Sequence, residues 1–399
     1  MKTAIQNRSL NFDDTSIAFA HQSNSKLRKT YLIFALMNQN WVVKIGTFFI
    51  KLAIKLGLPI KLLIKNTIFA QFCGGESIST CQKTIESLAK SRVGTILDYS
   101  VEGEDNENDF EATTDEILRT IDKAATQRGN IPFSVFKVSG IGSVELLEKV
   151  QEHPELLTDE EKSAFERIRN RVDKLCAHAA EFEVRIFLDA EESWIQEVID
   201  DLSYEMMRKY NIKGKTIVYN TFQLYRWESL QHLIDACEIA RNEGYTVGAK
   251  LVRGAYIEKE RRRAAEFEYK DPIHTTKHET DTDFNKAIHF SINNLNTLSI
   301  CLGTHNEESC LICAELMKDK GIRINDERIW FAQLLGMSDN ISYNLANAGY
   351  NVAKYVPYGP VEAVMPYLFR RAEENTSIAG QSSREFLLIK KEKQRRKTS

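Results

Sequence analysis

The chain has 399 residues, 27% charged and 43% hydrophobic, with a formal net charge of −3. That composition excludes a mostly disordered chain, a collagen-like chain and a multi-span membrane protein, and it offers no global basic surface for nucleic acid. Glycine (19) and proline (7) are scarce, so long flexible linkers are not expected, and the length fits either a few domains or one large barrel.

Residues 1–40 are expected to be poorly ordered or helical. They carry Asp13 and Asp14 and lack an arginine-rich amphipathic pattern, which argues against a mitochondrial transit peptide. Residues 41–94 read as an amphipathic helical extension. Within them, residues 41–75 hold five lysines and no acid. On a helix turning 100° per residue, Lys44, Lys51 and Lys55 fall within about 40° of one another, and Phe48, Phe49, Ile50, Leu52 and Ile54 occupy much of the rest. Gly57 and Pro59 interrupt the helix, and residues 62–69 resume it. No apolar run approaches the ~20 residues that a membrane span needs. Two readings stand: a helix lying on an anionic membrane surface, or a helix packed on the protein's own core with its lysines in water.

Residues 102–116 contain eight acids and read as a solvated loop and a helix start. From there the pattern is regular. Short β-rich runs recur at 95–100, 133–139, 184–189, 216–221, 246–252, 299–304, 328–333 and 351–356, with amphipathic helical stretches between them. Gly321 and Gly349 stand where helices should stop before the next strand. Strand–helix alternation argues for a parallel sheet with helical crossovers, and eight units match the α/β class (β/α)8 TIM-type barrel of typically ~250 residues. A doubly wound sheet would want a glycine-rich phosphate loop after its first strand, and LDYSVEGEDNEN is not one. The barrel is placed at 95–380, behind the N-terminal helical extension.

The seven cysteines form no disulfide framework, and no secretory signal precedes them, so reduced thiols are expected. Cys310 and Cys313 make a lone CxxC in a helical stretch with only His305 nearby. A structural zinc site takes about four ligands, so no metal is expected. Residues 381–399 form a basic tail. Its last ten residues and the 41–75 segment each carry a net +5, which leaves −13 for everything else. The tail reads either as solvated chain or as a polybasic membrane contact.

Barrels of this kind gather their site at the C-terminal ends of the strands. Those ends offer Asp98 and Glu102, then Lys137, then Asp189, Glu191 and Glu192, then Asn220 and Gln223. They continue with Lys250, Arg253 and Tyr256, with Thr304, His305 and Asn306, with Gln333, and with Tyr355 and Tyr358. A packed end needs no such polarity, so a ligand site is expected there. The last helix adds Tyr367, Arg370, Arg371 and Glu374 at i, i+3, i+4 and i+7, which places them on one face. Two adjacent arginines suit a carboxylate or phosphate, and the tyrosine suits an apolar body attached to it. The residues alone thus give a barrel enzyme for a small anion with an apolar body. No HExxH, GxSxG or Walker pattern is present.

The segments FLDAEES (187–193), GAKLVRGAYIEKER (248–261), GTHNEES (303–309), QLLGMSD (333–339) and YVPYGPVEAVMPYLFRRAEEN (355–375), with FCGGES (72–77) upstream, resemble proline dehydrogenase. The wording is most similar to the mitochondrial-type branch, and the length is that of a monofunctional form. The resemblance implies an FAD enzyme that oxidises L-proline to Δ1-pyrroline-5-carboxylate, the first step of proline degradation to glutamate, and passes electrons to a membrane quinone. It implies that Lys137, Arg370 and Arg371 hold the substrate carboxylate and that Tyr355 and Tyr367 pack the ring. Asp189 would lie beneath the site, orienting Lys137 or its neighbours, and Glu102 would pair with Arg370 as a gate. It places FAD against Asn220, Lys250, Arg253, Gly254, Ala255, Thr304, His305, Asn306 and Glu374. Lys250 stands where many bacterial members have arginine, and Ile257 where some have an aromatic residue. Tyr355 is smaller in relatives that act on hydroxyproline, which favours proline here.

The alternatives are a flavin barrel for hydroxyproline or another cyclic amino acid, and an inactive amino-acid-binding barrel. Peripheral membrane contact is expected, on the cytoplasmic side of a bacterial membrane or the matrix side in a eukaryote. No nucleic acid or protein partner is expected.

Overall fold

The computed structural model describes residues 10–56, 59–101, 106–377 and 381–398. Eight strands succeed one another: β1 (Gly94–Tyr99), β2 (Phe133–Phe136), β3 (Arg185–Leu188), β4 (Val218–Gln223), β5 (Val247–Val252), β6 (Leu298–Gly303), β7 (Ile329–Leu334) and β8 (Val352–Tyr358). They form a closed barrel in the order β1 to β8, every recorded pair is parallel, and helices intervene. The α/β barrel expected from the eight β-rich runs is therefore the fold. Local signals set the helices. Thr158 caps the helix Asp159–Glu181 in a reciprocal box with Glu161, and Thr276 does the same with Glu279 for Lys277–Asn293. Gly349 closes Asp339–Ala348 at φ 101°, a left-handed conformation that only glycine adopts cheaply, and the chain then turns into β8.

The chain divides into two compact units, residues 103–332 and residues 1–102 with 333–399. In the first unit, Phe133 of β2 stacks on Phe187 of β3 at 4.4 Å, and both meet Tyr219 of β4 edge-on at 5.5 and 5.4 Å. Trp330 of β7 closes on Phe133 at 5.3 Å. The Arg185 guanidinium covers Phe133 and Trp330 at 5.6 and 5.7 Å. Side chains of this size bury ~150–250 Å² each, so this aromatic layer is a large part of the unit's apolar fill.

In the second unit, β1 and β8 pair in register from Gly94 opposite Ala353 to Tyr99 opposite Tyr358. Leu27 and Phe34 of the helix Asn24–Met37 share one core with Phe72, Val364, Leu368, Leu388 and Ile389. The last two belong to the helix Gln381–Thr398. The basic tail is thus a packed helix, and most of its cations have internal partners. Arg395 and Arg396 bond the wholly buried Glu392, and Arg396 also donates to the Phe19 and Gln22 carbonyls. Lys391 donates to the Asp13 carbonyl, and Lys393 lies 3.4 Å above the Tyr31 ring.

Lys354 of β8 is completely buried. Its ammonium bonds the Met337 carbonyl at 2.7 Å and the Asp339 carboxylate at 2.9 Å. Burial works to raise the Asp339 pKa, but Lys354 and His21 hold it below the ordinary carboxylate value. His21 stacks on Tyr343 at 4.0 Å with Nε2 3.5 Å from Asp339. Burial outweighs the pull of Asp339 and pushes the His21 pKa down from 6.5 to about 4. The unfolded chain takes up this proton near pH 6.5 and the folded chain near pH 4, so acid favours unfolding through that window. His21 should make wild type lose stability between pH 6.5 and pH 4 at up to about 1.4 kcal/mol per pH unit. Denaturant unfolding across that range should show a shallower slope for His21→Phe; parallel curves for the two proteins would refute this.

Candidate functional site

Two cations at the strand ends of the unit 103–332, Lys250 and Arg253, are each ion-paired with an internal acid. Lys250 of β5 is 4% exposed, and its ammonium is hydrogen-bonded and ion-paired to Asp189, just past β3. The same ammonium sits 5.1 Å above the Phe187 ring, so the aromatic layer forms its floor. An unpaired charge at this depth costs several kcal/mol, so the pair holds the two strand ends together. Asp189 therefore acts on Lys250.

Lys137 follows β2 and precedes the short turn Val138–Gly140. Its nearby charge is compensated by the buried Glu191, which accepts hydrogen bonds from the Ser139 backbone and hydroxyl. Burial pushes the Glu191 pKa up, while Lys137 and Ser139 pull it back. The Glu191 carbonyl accepts from Gln223 Nε2 at 2.7 Å, and Gln223 Oε1 accepts from the Ala255 N–H at 3.3 Å. One hydrogen-bonded line thus runs from the end of β2 through those of β3 and β4 to the turn after β5.

That turn is built around two residues. Gly254 has φ +139°, and a Cβ there would lie 2.4 Å from the Tyr225 ring, so no larger residue fits. Arg253 makes three polar contacts: to Asp281 at 2.6 Å, to Thr304 Oγ1 at 2.7 Å and to Ser309 Oγ at 3.0 Å. It also lies 4.3 Å above Phe284. Burial works to raise the Asp281 pKa, yet Lys277 and Arg253 hold it below the ordinary value. Thr304 also accepts from the Asn306 N–H, and Asn306 caps the helix Glu307–Asp319 through Ser309. His305 is half-buried between them. A fixed guanidinium beside a helix N-terminus is an anion-binding arrangement, and this donor set fits a pyrophosphate.

Asn220 does not join this group. It is fully buried, its amide donates to Asp200 at 2.7 Å, and its oxygen accepts from Ser203 in the helix Ser193–Tyr210. Strand alternation explains this: Gln223 and Asn220 are three residues apart and face opposite sides of β4. Gln223 is the β4 residue turned to the site. Asp281 and Ser309 also belong to it. Nothing in the spacing of Asp281 points to Arg253, whereas Ser309 lies inside the GTHNEES segment. Cys310 and Cys313 are buried thiols, and burial pushes Cys310 up to about 12. Among the described residues no cluster of acids, histidines and cysteines offers a metal site.

In the other unit, Tyr355 of β8 is 7% exposed. The helix Met365–Ser377 carries Tyr367, Arg370 and Arg371. Arg371 is almost fully buried with its guanidinium 5.1 Å above the Tyr367 ring, as the i, i+4 spacing requires. The planar donor fork of a guanidinium matches the geometry of a carboxylate. Glu102 and the Glu374 side chain lie outside the described residues.

A family model described as proline dehydrogenase matches residues 81–384. "Proline dehydrogenase 1, mitochondrial" of Dictyostelium discoideum is 32% identical over 428 residues, covering 96% of this chain and 74% of that one. "Carbapenem antibiotics biosynthesis protein CarD" of Pectobacterium carotovorum subsp. carotovorum is 35% identical over 82% of this chain and 83% of its own. The human mitochondrial proline dehydrogenase 1 is 41% identical over 58% of this chain and 39% of its own. Among solved structures, proline utilization A from Bdellovibrio bacteriovorus, inactivated by N-propargylglycine, superimposes with a TM-score of 0.72 at 18% identity. It covers 94% of this chain and 40% of that one, a likeness of fold.

Proposed function

The chain belongs to the proline dehydrogenase family, and on that premise we propose that it oxidises L-proline to Δ1-pyrroline-5-carboxylate, with FAD as resident cofactor and a membrane quinone as electron acceptor. The observation that carries the reading is that the matched residues 81–384 take in every cation of the proposed site, from Lys137 to Arg371.

Proline is an anion on a saturated ring. Arg370 and Arg371 would clamp its carboxylate, with Lys137 as a third cation. Tyr355 and Tyr367 would supply the apolar wall for the ring, and Glu102 would gate it through Arg370. Arg253, Gly254, Ala255 and the Thr304–Asn306 turn fit the cofactor's phosphates, with Glu374 as a further contact. The Arg253 fork and the helix N-terminus support this. When bound, FAD would accept the hydride that leaves proline C5. The chain's own task is to fix the ring against that acceptor and to exclude water. Lys250, fixed by Asp189, would favour an electron-rich reduced flavin.

The purified protein should be yellow, and L-proline should bleach its flavin band without oxygen, faster than hydroxyproline does. Colourless protein that FAD does not restore would refute the reading, and faster bleaching by hydroxyproline would select the alternative substrate.

The quinone reading requires access to a lipid surface. No described helix is long and apolar enough to cross a membrane. However, Leu32, Leu36, Trp41, Phe48, Phe49 and Leu62 are each more than half exposed in the N-terminal helices. Exposed rings and leucines of this density mark an interaction surface. With most of the tail's cations engaged internally, residues 32–63 carry the proposed peripheral contact. Wild type should co-sediment with vesicles containing anionic lipid, and Phe48→Ser with Phe49→Ser should release it; equal binding of both proteins would refute the contact.

A further inference from the structure

The turn Arg253–Gly254–Ala255–Tyr256 leads directly into the helix Ile257–Glu266. One turn into that helix stands Glu260, with no exposed surface. Its two carboxylate oxygens accept from the Ser193 N–H at 2.7 Å and the Ser193 hydroxyl at 2.6 Å. Ser193 opens the helix Ser193–Tyr210, just after the β3 loop that bears Asp189 and Glu191. A carboxylate is costly to bury and is kept there only by donors that satisfy it. At this helix start the Ser193 N–H has no partner within its own helix, and a negative charge is favoured there. Burial still pushes the Glu260 pKa up against the Ser193 donors and Arg226.

Two further ties run alongside. Exposed Lys259 bridges to Glu192 at 2.7 Å, and Arg263 packs between Trp194 at 4.6 Å and Phe267 at 4.7 Å. Of the three, only Glu260 is wholly buried and only Glu260 bonds backbone. The turn is therefore pinned at both ends. Arg253 fixes its start through Asp281, Thr304 and Ser309; Glu260 fixes its exit through Ser193. Nothing else in the chemistry uses Glu260.

We propose that Glu260 is a positioning residue for the flavin nucleotide: by locking the first turn of its helix to Ser193, it holds the 253–256 turn in the shape that receives the cofactor. This rests on the reading of the chain as a flavoprotein. The test is FAD titration of the full-length apoprotein, followed by flavin fluorescence quenching, together with the apoprotein's unfolding midpoint. Glu260→Ala should weaken FAD binding at least about tenfold, the scale of one lost charged hydrogen bond. Glu260→Gln, whose amide oxygen still accepts from Ser193, should recover most of the affinity at a similar unfolding midpoint. Lys259→Ala should bind FAD as wild type does. If Glu260→Ala does not fold, Ser193→Ala decides, since it removes the hydroxyl alone; it should bind FAD a few-fold more weakly. Wild-type affinity in whichever of these two variants folds would overturn the role of Glu260. Wild-type protein that takes up no FAD would instead overturn the flavin reading itself.

Discussion

A lysine on a barrel strand has nowhere to leave its charge unless the fold brings a counter-ion to it. Lys250 on β5 and Lys354 on β8 both meet this constraint with one aspartate each. The two solutions differ in consequence. Lys354 spends its remaining donors on the Leu334 and Met337 carbonyls, so its charge is used up in structure. Lys250 stands over an aromatic ring at the end of its strand, held by an acid from a neighbouring strand end. The first arrangement fixes a loop. The second fixes an ammonium where the proposed flavin would gain by having one.

The same logic organises the rest of the proposed cofactor side. Arg253 is held by Asp281, as Lys250 is by Asp189. Each cation arrives with its own acid, so the group is fixed before any ligand binds, which is the condition for electrostatic stabilisation without reorganisation. The glycine at position 254 lets the turn after β5 pass the Tyr225 ring at close range.

Much of this was legible in the sequence. Eight β-rich runs and the stop at Gly349 gave the barrel, because strand period and left-handed caps are local properties. The strand-end cations were legible because the fold class dictates where to look. Three things were not. Asn220 sits on the wrong side of β4, and only register against the neighbouring helix separates it from Gln223. The acids that hold the cations, Asp281 above all, are distant in sequence and carry no spacing signature. By composition the basic tail reads as solvated chain or as a membrane contact. Its helix is stabilised by Glu392 and by carbonyls near residue 20, partners that composition does not reveal.

The proposed chemistry makes one demand that binding and colour do not test: if arginines clamp the carboxylate, the bond that breaks is at C5, on the ring carbon away from it. Anaerobic stopped-flow reduction of the enzyme with L-proline deuterated at C5, and separately at C2, tests this most directly. A several-fold slowing by the C5 label with none from the C2 label is the predicted result. Slowing by the C2 label alone would contradict it, because the substrate would then be oxidised at the carbon that bears its carboxylate.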